Sequence, residues 1–209
     1  MRAVRGEPAL AVLRDRPYAV LALVNAVMLL YMPMLSLVVP LWIAHRTVVP
    51  HWLISVLLML NTVSVALFQV RVAWRVTGPH SAARFVRYAG LALLASCAVF
   101  ALSATGGPAW AAALILLGAV GLQVIGELLL ASGAWEIGFG LAPEDKQGQY
   151  QGFYGAGVPV ARMLGPLLLT GLVLTLGPVG WLVLGALFAT AGCATMPAVR
   201  WANGRIATR

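Results

Sequence analysis

Leu114–Leu176 reads LILLGAVGLQVIGELLLASGAWEIGFGLAPEDKQGQYQGFYGAGVPVARMLGPLLLTGLVLTL, and this stretch decides the fold. Two long apolar runs flank a short charged turn, Glu144-Asp145-Lys146. Each run is long enough to cross a hydrocarbon core, which takes about 20 helical residues. Glu127 and Arg162 lie inside the runs, one in each. A charge at bilayer depth costs several kcal/mol or more unless it is paired or faces water, so each is a functional candidate. The expectation is a pair of helices lining a polar path across a membrane.

Working outward, six apolar runs are long enough to span: Tyr18–Ile43, Trp52–Trp74, Val86–Ala104, Trp110–Trp135, Tyr150–Leu176 and Val179–Val199. Isolated prolines within them (Pro33, Pro40, Pro159, Pro166) are tolerated better in membrane helices than in soluble ones. The runs lack the in-out alternation of an outer-membrane barrel. The chain is 61% hydrophobic and 10% charged, whereas a soluble domain is about a quarter charged. The sequence therefore predicts an all-α integral membrane protein with six transmembrane helices. Residues 1–17 form a cytoplasmic segment, residues 18–200 the membrane domain and residues 201–209 a cytoplasmic tail.

The net charge is +8, but the basic residues flank the spans and make no separate basic domain, so nucleic acid is not the expected partner. One side holds Arg2, Arg5, Arg14, Arg16, Arg71, Arg75, Arg84, Arg87, Lys146, Arg200, Arg205 and Arg209, while the opposite loops hold only Arg46. Basic residues concentrate on the cytoplasmic side, which places both termini there. The same rim attracts anionic lipid headgroups. The N-terminus has basic residues without a short apolar core and cleavage site, so no cleaved signal peptide is expected. Cys97 and Cys193 lie in separate apolar runs and read as small buried side chains. His45, His51 and His80 read as solvated interface residues without partners at ligand spacing. No catalytic set, metal site or cofactor fingerprint is legible, and enzymatic activity is not expected.

Gln123 precedes Glu127 by four residues, so the two polar side chains share a helix face. Counted from Trp135, Glu127 is roughly 12 Å deep; counted from Tyr150, Arg162 is roughly 18 Å deep. That difference is within side-chain reach, so a Glu127–Arg162 ion pair is geometrically possible. Two readings compete. A carboxyl group held away from bulk water is suited to taking up and releasing protons. Alternatively, Glu127 is an inter-helix strut held ionised by Arg162, which itself stays protonated and would hold an anion rather than relay protons. Gly157, Ala161 and Gly165 make a small-residue stripe that lets helices approach closely. Pro33 and Pro40 are candidate kinks in the first helix. Asn61 and Ser64 share a face of the second helix and read, with Gln69, as packing groups.

Three stretches carry a family resemblance: RDRPYAVLALVNAVMLLYMPMLSLVVPLWIAHRT, LLMLNTVSVALFQVRVAWRV and GELLLASGAWEIGFGLAPEDKQGQYQGFYGAGVPVARMLGPLLLTG. Together they resemble the C-terminal six-helix half of a major facilitator superfamily transporter, of the drug-efflux-like kind found in high-GC Gram-positive bacteria. The most specific parts are Gly126-Glu127, Leu141-Ala142-Pro143-Glu144 with Gly148-Gln149-Tyr150-Gln151-Gly152, and Gly165-Pro166. The resemblance implies half of a major facilitator fold, two three-helix blocks related as an inverted repeat. It implies a bacterial cytoplasmic membrane location and a cavity lined by the first and fourth helices. Asn25, Tyr31, Gln123 and Glu127 are then the cavity candidates, and Gly165-Pro166 a packing or hinge element. It also implies secondary transport, taken here as proton-coupled efflux of a small hydrophobic or drug-like molecule. Relatives have twelve helices, so six imply a homodimer about an axis along the membrane normal, or pairing with a complementary six-helix half. The alternative is a non-transporting regulatory or scaffolding membrane protein.

Overall fold

The computed structural model describes residues 12, 15–104 and 106–206. Arg2, Arg5, Arg14, Arg209, Thr105 and most of the 1–17 segment lie outside the described residues, as does the side chain of Arg205. Six helical spans are long and apolar enough to cross a membrane: Arg16–Arg46, Trp52–Ala73, Pro79–Leu102, Ala109–Gly140, Glu144–Leu176 and Pro178–Gly204. We number them one to six. No strand occurs among the described residues, an architecture compatible with a multi-pass membrane protein. Proline opens the first, third and sixth helices, where its missing N–H would have had no intrahelical acceptor anyway.

Several helices outrun the apolar segments that announce them. The third begins at Pro79, the fourth extends to Gly140, and the sixth continues to Ile206, through residues expected as tail. Hydropathy measures the thickness of the hydrocarbon layer, whereas a helix continues for as long as its backbone bonds are made. The fifth span is two helices, Gln147–Gly155 and Gly157–Leu176, meeting at Ala156.

The first span is the irregular one. It passes from an α-helix (Arg16–Met28) through a 3₁₀ turn (Leu29–Tyr31) and a π turn (Met34–Val38) to a final α-helix (Val39–Arg46). Pro33 and Pro40 cause this: neither can donate to the carbonyl four residues back, and each ring crowds that carbonyl.

The third span is the spine, packed between the fourth and the sixth. Its contact with the sixth is backbone on backbone. A Cβ on Gly192 would lie 2.9 Å from the Val86 carbonyl oxygen and 3.1 Å from Gly90 Cα. A Cβ on Gly126 would lie 2.8 Å from Leu93 Cγ, so the fourth span is seated equally closely on the third. The second span is peripheral. It packs mainly on the fourth, and 11% of its most apolar stretch is buried within the chain, against 50% for the first span.

Polar and aromatic groups tie the two ends. Near the basic rim, the Tyr18 hydroxyl sits between the carbonyls of Gly138 (3.1 Å) and Tyr150 (3.2 Å), and the Tyr150 hydroxyl donates to Asp15 Oδ2 at 3.1 Å. These bonds fix the first, fourth and fifth spans at a common level. At the other end Trp42 donates to Ser103 Oγ at 2.8 Å, and its ring meets Trp181 edge-on beside Phe100. Arg46 donates to the Leu174 carbonyl at 3.0 Å, satisfying one of the acceptors left free at that helix's C-terminal end.

Candidate functional site

Glu127 is partly buried on the fourth span, and residues of two other spans surround it. Tyr31 Oη donates to Glu127 Oε1 at 3.3 Å, from the 3₁₀ turn of the first span. Asn61 of the second span borders the same space. These groups line a crevice of about 170 Å³ with Gln123, Ser36 and three apolar side chains. A water molecule occupies about 30 Å³, so the space suits a small polar group or a short water chain. The amide oxygens of Asn61 and Gln123 are buried and lack a hydrogen-bond partner among the described residues. Buried polar atoms are normally satisfied, so two orphaned acceptors beside a carboxylate mark a polar spot that the chain's own packing does not complete.

Arg162 lies in a neighbouring crevice of about 440 Å³, lined by Met32, Pro33, Ser36, Leu37, Arg162 and Pro166. Met32 and Ser36 belong to both crevices, and Ser36 is exposed on the ridge between them. The ridge is the irregular part of the first span. Glu127 therefore faces the second-span side of the ridge and Arg162 the fifth-span side. The ion pair that depth made possible does not form within the chain: the carboxylate accepts from Tyr31, and Arg162 is exposed in the other crevice.

Of the four residues expected around the cavity, Tyr31, Gln123 and Glu127 come together in the first crevice. Asn25 lines neither crevice; it is buried with its amide oxygen unpartnered among the described residues. The small-residue stripe presses the fifth span onto the first. A Cβ on Gly157 would be 3.1 Å from Ala26 Cα, one on Gly165 would be 2.5 Å from Pro33 Cγ, and Ala161 is buried between them. Pro166 borders the Arg162 crevice. Asn61 and Ser36 are site residues that sequence reasoning missed. Counted from the ends the structure gives their helices, Ala73 and Gly140, Asn61 and Glu127 are at nearly equal height, but the apolar run of the fourth helix stops at Trp135 and hides this.

A third crevice of about 370 Å³ lies between the second and fourth spans toward the basic end, with Gln69, Ser132 and Glu136 on its walls. No cluster of His, Cys, Asp or Glu suited to a metal ion occurs among the described residues. Comparison with protein-family models, with curated proteins and with solved structures found no match.

Proposed function

We propose that the chain is a half-size secondary transporter of the major facilitator type, a proton-coupled exporter of a small hydrophobic molecule that works as a homodimer in a bacterial cytoplasmic membrane. The observation that carries this reading is the Glu127 crevice. A carboxylate deep in a span accepts from a tyrosine of another span, beside two orphaned amide oxygens in the same crevice. A buried structural group gains from complete satisfaction. A group that must exchange protons and meet a passing solute needs open valences and room, and this one has both. The quoted sequence motifs support the same class, with the first and fourth spans on the cavity side and basic loops in the cytoplasm.

The test is flux in vesicles reconstituted with the purified chain. An imposed proton gradient should drive movement of hydrophobic fluorescent dyes, and Glu127→Gln should reduce gradient-driven flux to the level of empty vesicles. Wild-type vesicles that move neither dye nor protons would end the transporter reading and leave the regulatory one.

A further inference from the structure

We infer that Arg162 of one copy of this chain pairs with Glu127 of a second copy across a two-fold interface centred on the Met32–Leu37 ridge of the first span. The inference rests on the homodimer in the proposed function and names a contact that must part when Glu127 takes up a proton.

Depth is the first argument. The Tyr18 hydroxyl contacts the carbonyls of both Gly138 and Tyr150, which puts those two residues at one level. From that level the 11 residues to Glu127 climb about 17 Å and the 12 residues to Arg162 about 18 Å. The two residues are therefore within about one helical turn of each other along the bundle. A two-fold axis along the membrane normal preserves height, so groups can meet across it only when they lie within side-chain reach of one depth, as these do.

Position across the face is the second. The two charges flank one ridge, and Met32 and Ser36 border both their crevices. An axis through that ridge exchanges its two sides, laying the Glu127 crevice of one copy against the Arg162 crevice of the other. One operation makes both contacts, as an isologous interface requires.

Chemistry is the third. Arg162 is exposed near the middle of its span, about 18 Å from Tyr150 and about 21 Å from Leu176. An extended arginine side chain reaches neither headgroup layer from there, and an unpaired guanidinium in hydrocarbon is expensive. Among the described acidic residues, Glu127 is the one nearest this level; Asp15, Glu136, Glu144 and Asp145 lie toward the basic end. Arginine suits the task, since it stays charged and its planar fork fits a carboxylate. Neighbouring exposed side chains are apolar, Met163 and Leu167 on the fifth span and Leu58 on the second, which would keep water from the rim of the contact.

Differently tagged chains co-expressed and exchanged into lipid nanodiscs test this. Glu127→Arg alone and Arg162→Glu alone each place like charges in both contacts, and each should weaken self-association about ten-fold or more. Mixed together, the two single variants should recover near-wild-type association, because one contact becomes a reversed pair and the other remains native. A pair within one chain, or anionic lipid at Arg162, gives no recovery on mixing. Arg162→Gln and Glu127→Gln, which add no buried charge, should remain folded and still associate several-fold more weakly. The inference is overturned if mixing restores nothing, or if the variants associate as tightly as wild type. Dimers indifferent to these charges would remove this contact and leave the half-transporter reading standing; wild-type monomers in lipid would remove both.

Discussion

At the residue scale, Glu127 sits deep in a span with its carboxylate accepting from Tyr31, in the 3₁₀ turn at Leu29–Tyr31. Asn61 borders the same space because the second span leans on the fourth. A hydrogen bond to a charged acceptor contributes about 1.5–3 kcal/mol. Tyr31→Phe removes this donor and leaves the ring. It should lower dye flux about ten-fold in the vesicle assay while Ser64→Ala, on the same helix as Asn61 but outside the crevice, leaves flux unchanged. Equal flux in Tyr31→Phe and wild type would remove the hydroxyl from the pathway. Glu127, Gln123 and Tyr31 could be picked from the sequence because a polar group in an apolar run is conspicuous on its own. Asn61 is equally conspicuous, but its role depends on how the second helix is rotated against the fourth, and a nearly uniform apolar helix carries no amphipathic signal to set that angle. The separation of Arg162 from Glu127 was hidden for a related reason: helix rise gives height, and says nothing about which side of a third helix each residue occupies.

At the scale of elements, the small-residue stripe and the kinked first span fit each other. The fifth span comes close enough for Gly165 to sit against the Pro33 ring, at the place where the first span changes from 3₁₀ to π turns. Gly165→Ala should therefore cost about 1–3 kcal/mol, the usual penalty for forcing an extra methyl group into a packed contact. Gly171→Ala, on the same helix with nothing within 4 Å of the new Cβ, should be neutral or gain up to about 1 kcal/mol from helix propensity. Melting curves of the two variants in one detergent decide it, and equal midpoints would show that the contact is looser than drawn. The spans themselves were plain in the sequence, since an apolar run of about 20 residues matches the thickness of a hydrocarbon layer and far exceeds a buried strand. Their full lengths were not, because the final turns lie in the polar interface where composition reads as loop. The prolines pointed to a kink in the first span, but which carbonyls are released, and hence which turn forms, depends on neighbouring helices.

At the scale of the whole molecule, the proposed orientation is open to a direct check. With Cys97 and Cys193 replaced by alanine, Pro108→Cys should react with an impermeant maleimide in intact cells. His80→Cys, in the basic loop, should react only after permeabilisation. The reverse pattern would invert the arrangement and contradict the charge bias of the loops. The loosely held second span has a consequence for biogenesis. It leaves the ribosome before the fourth, the neighbour it mainly leans on, and must wait in the bilayer among acyl chains. It is suited to that wait, with no acidic or basic residue between Trp52 and Val70. The nook around Glu127 is therefore assembled late, when an already inserted helix swings in against one synthesised after it.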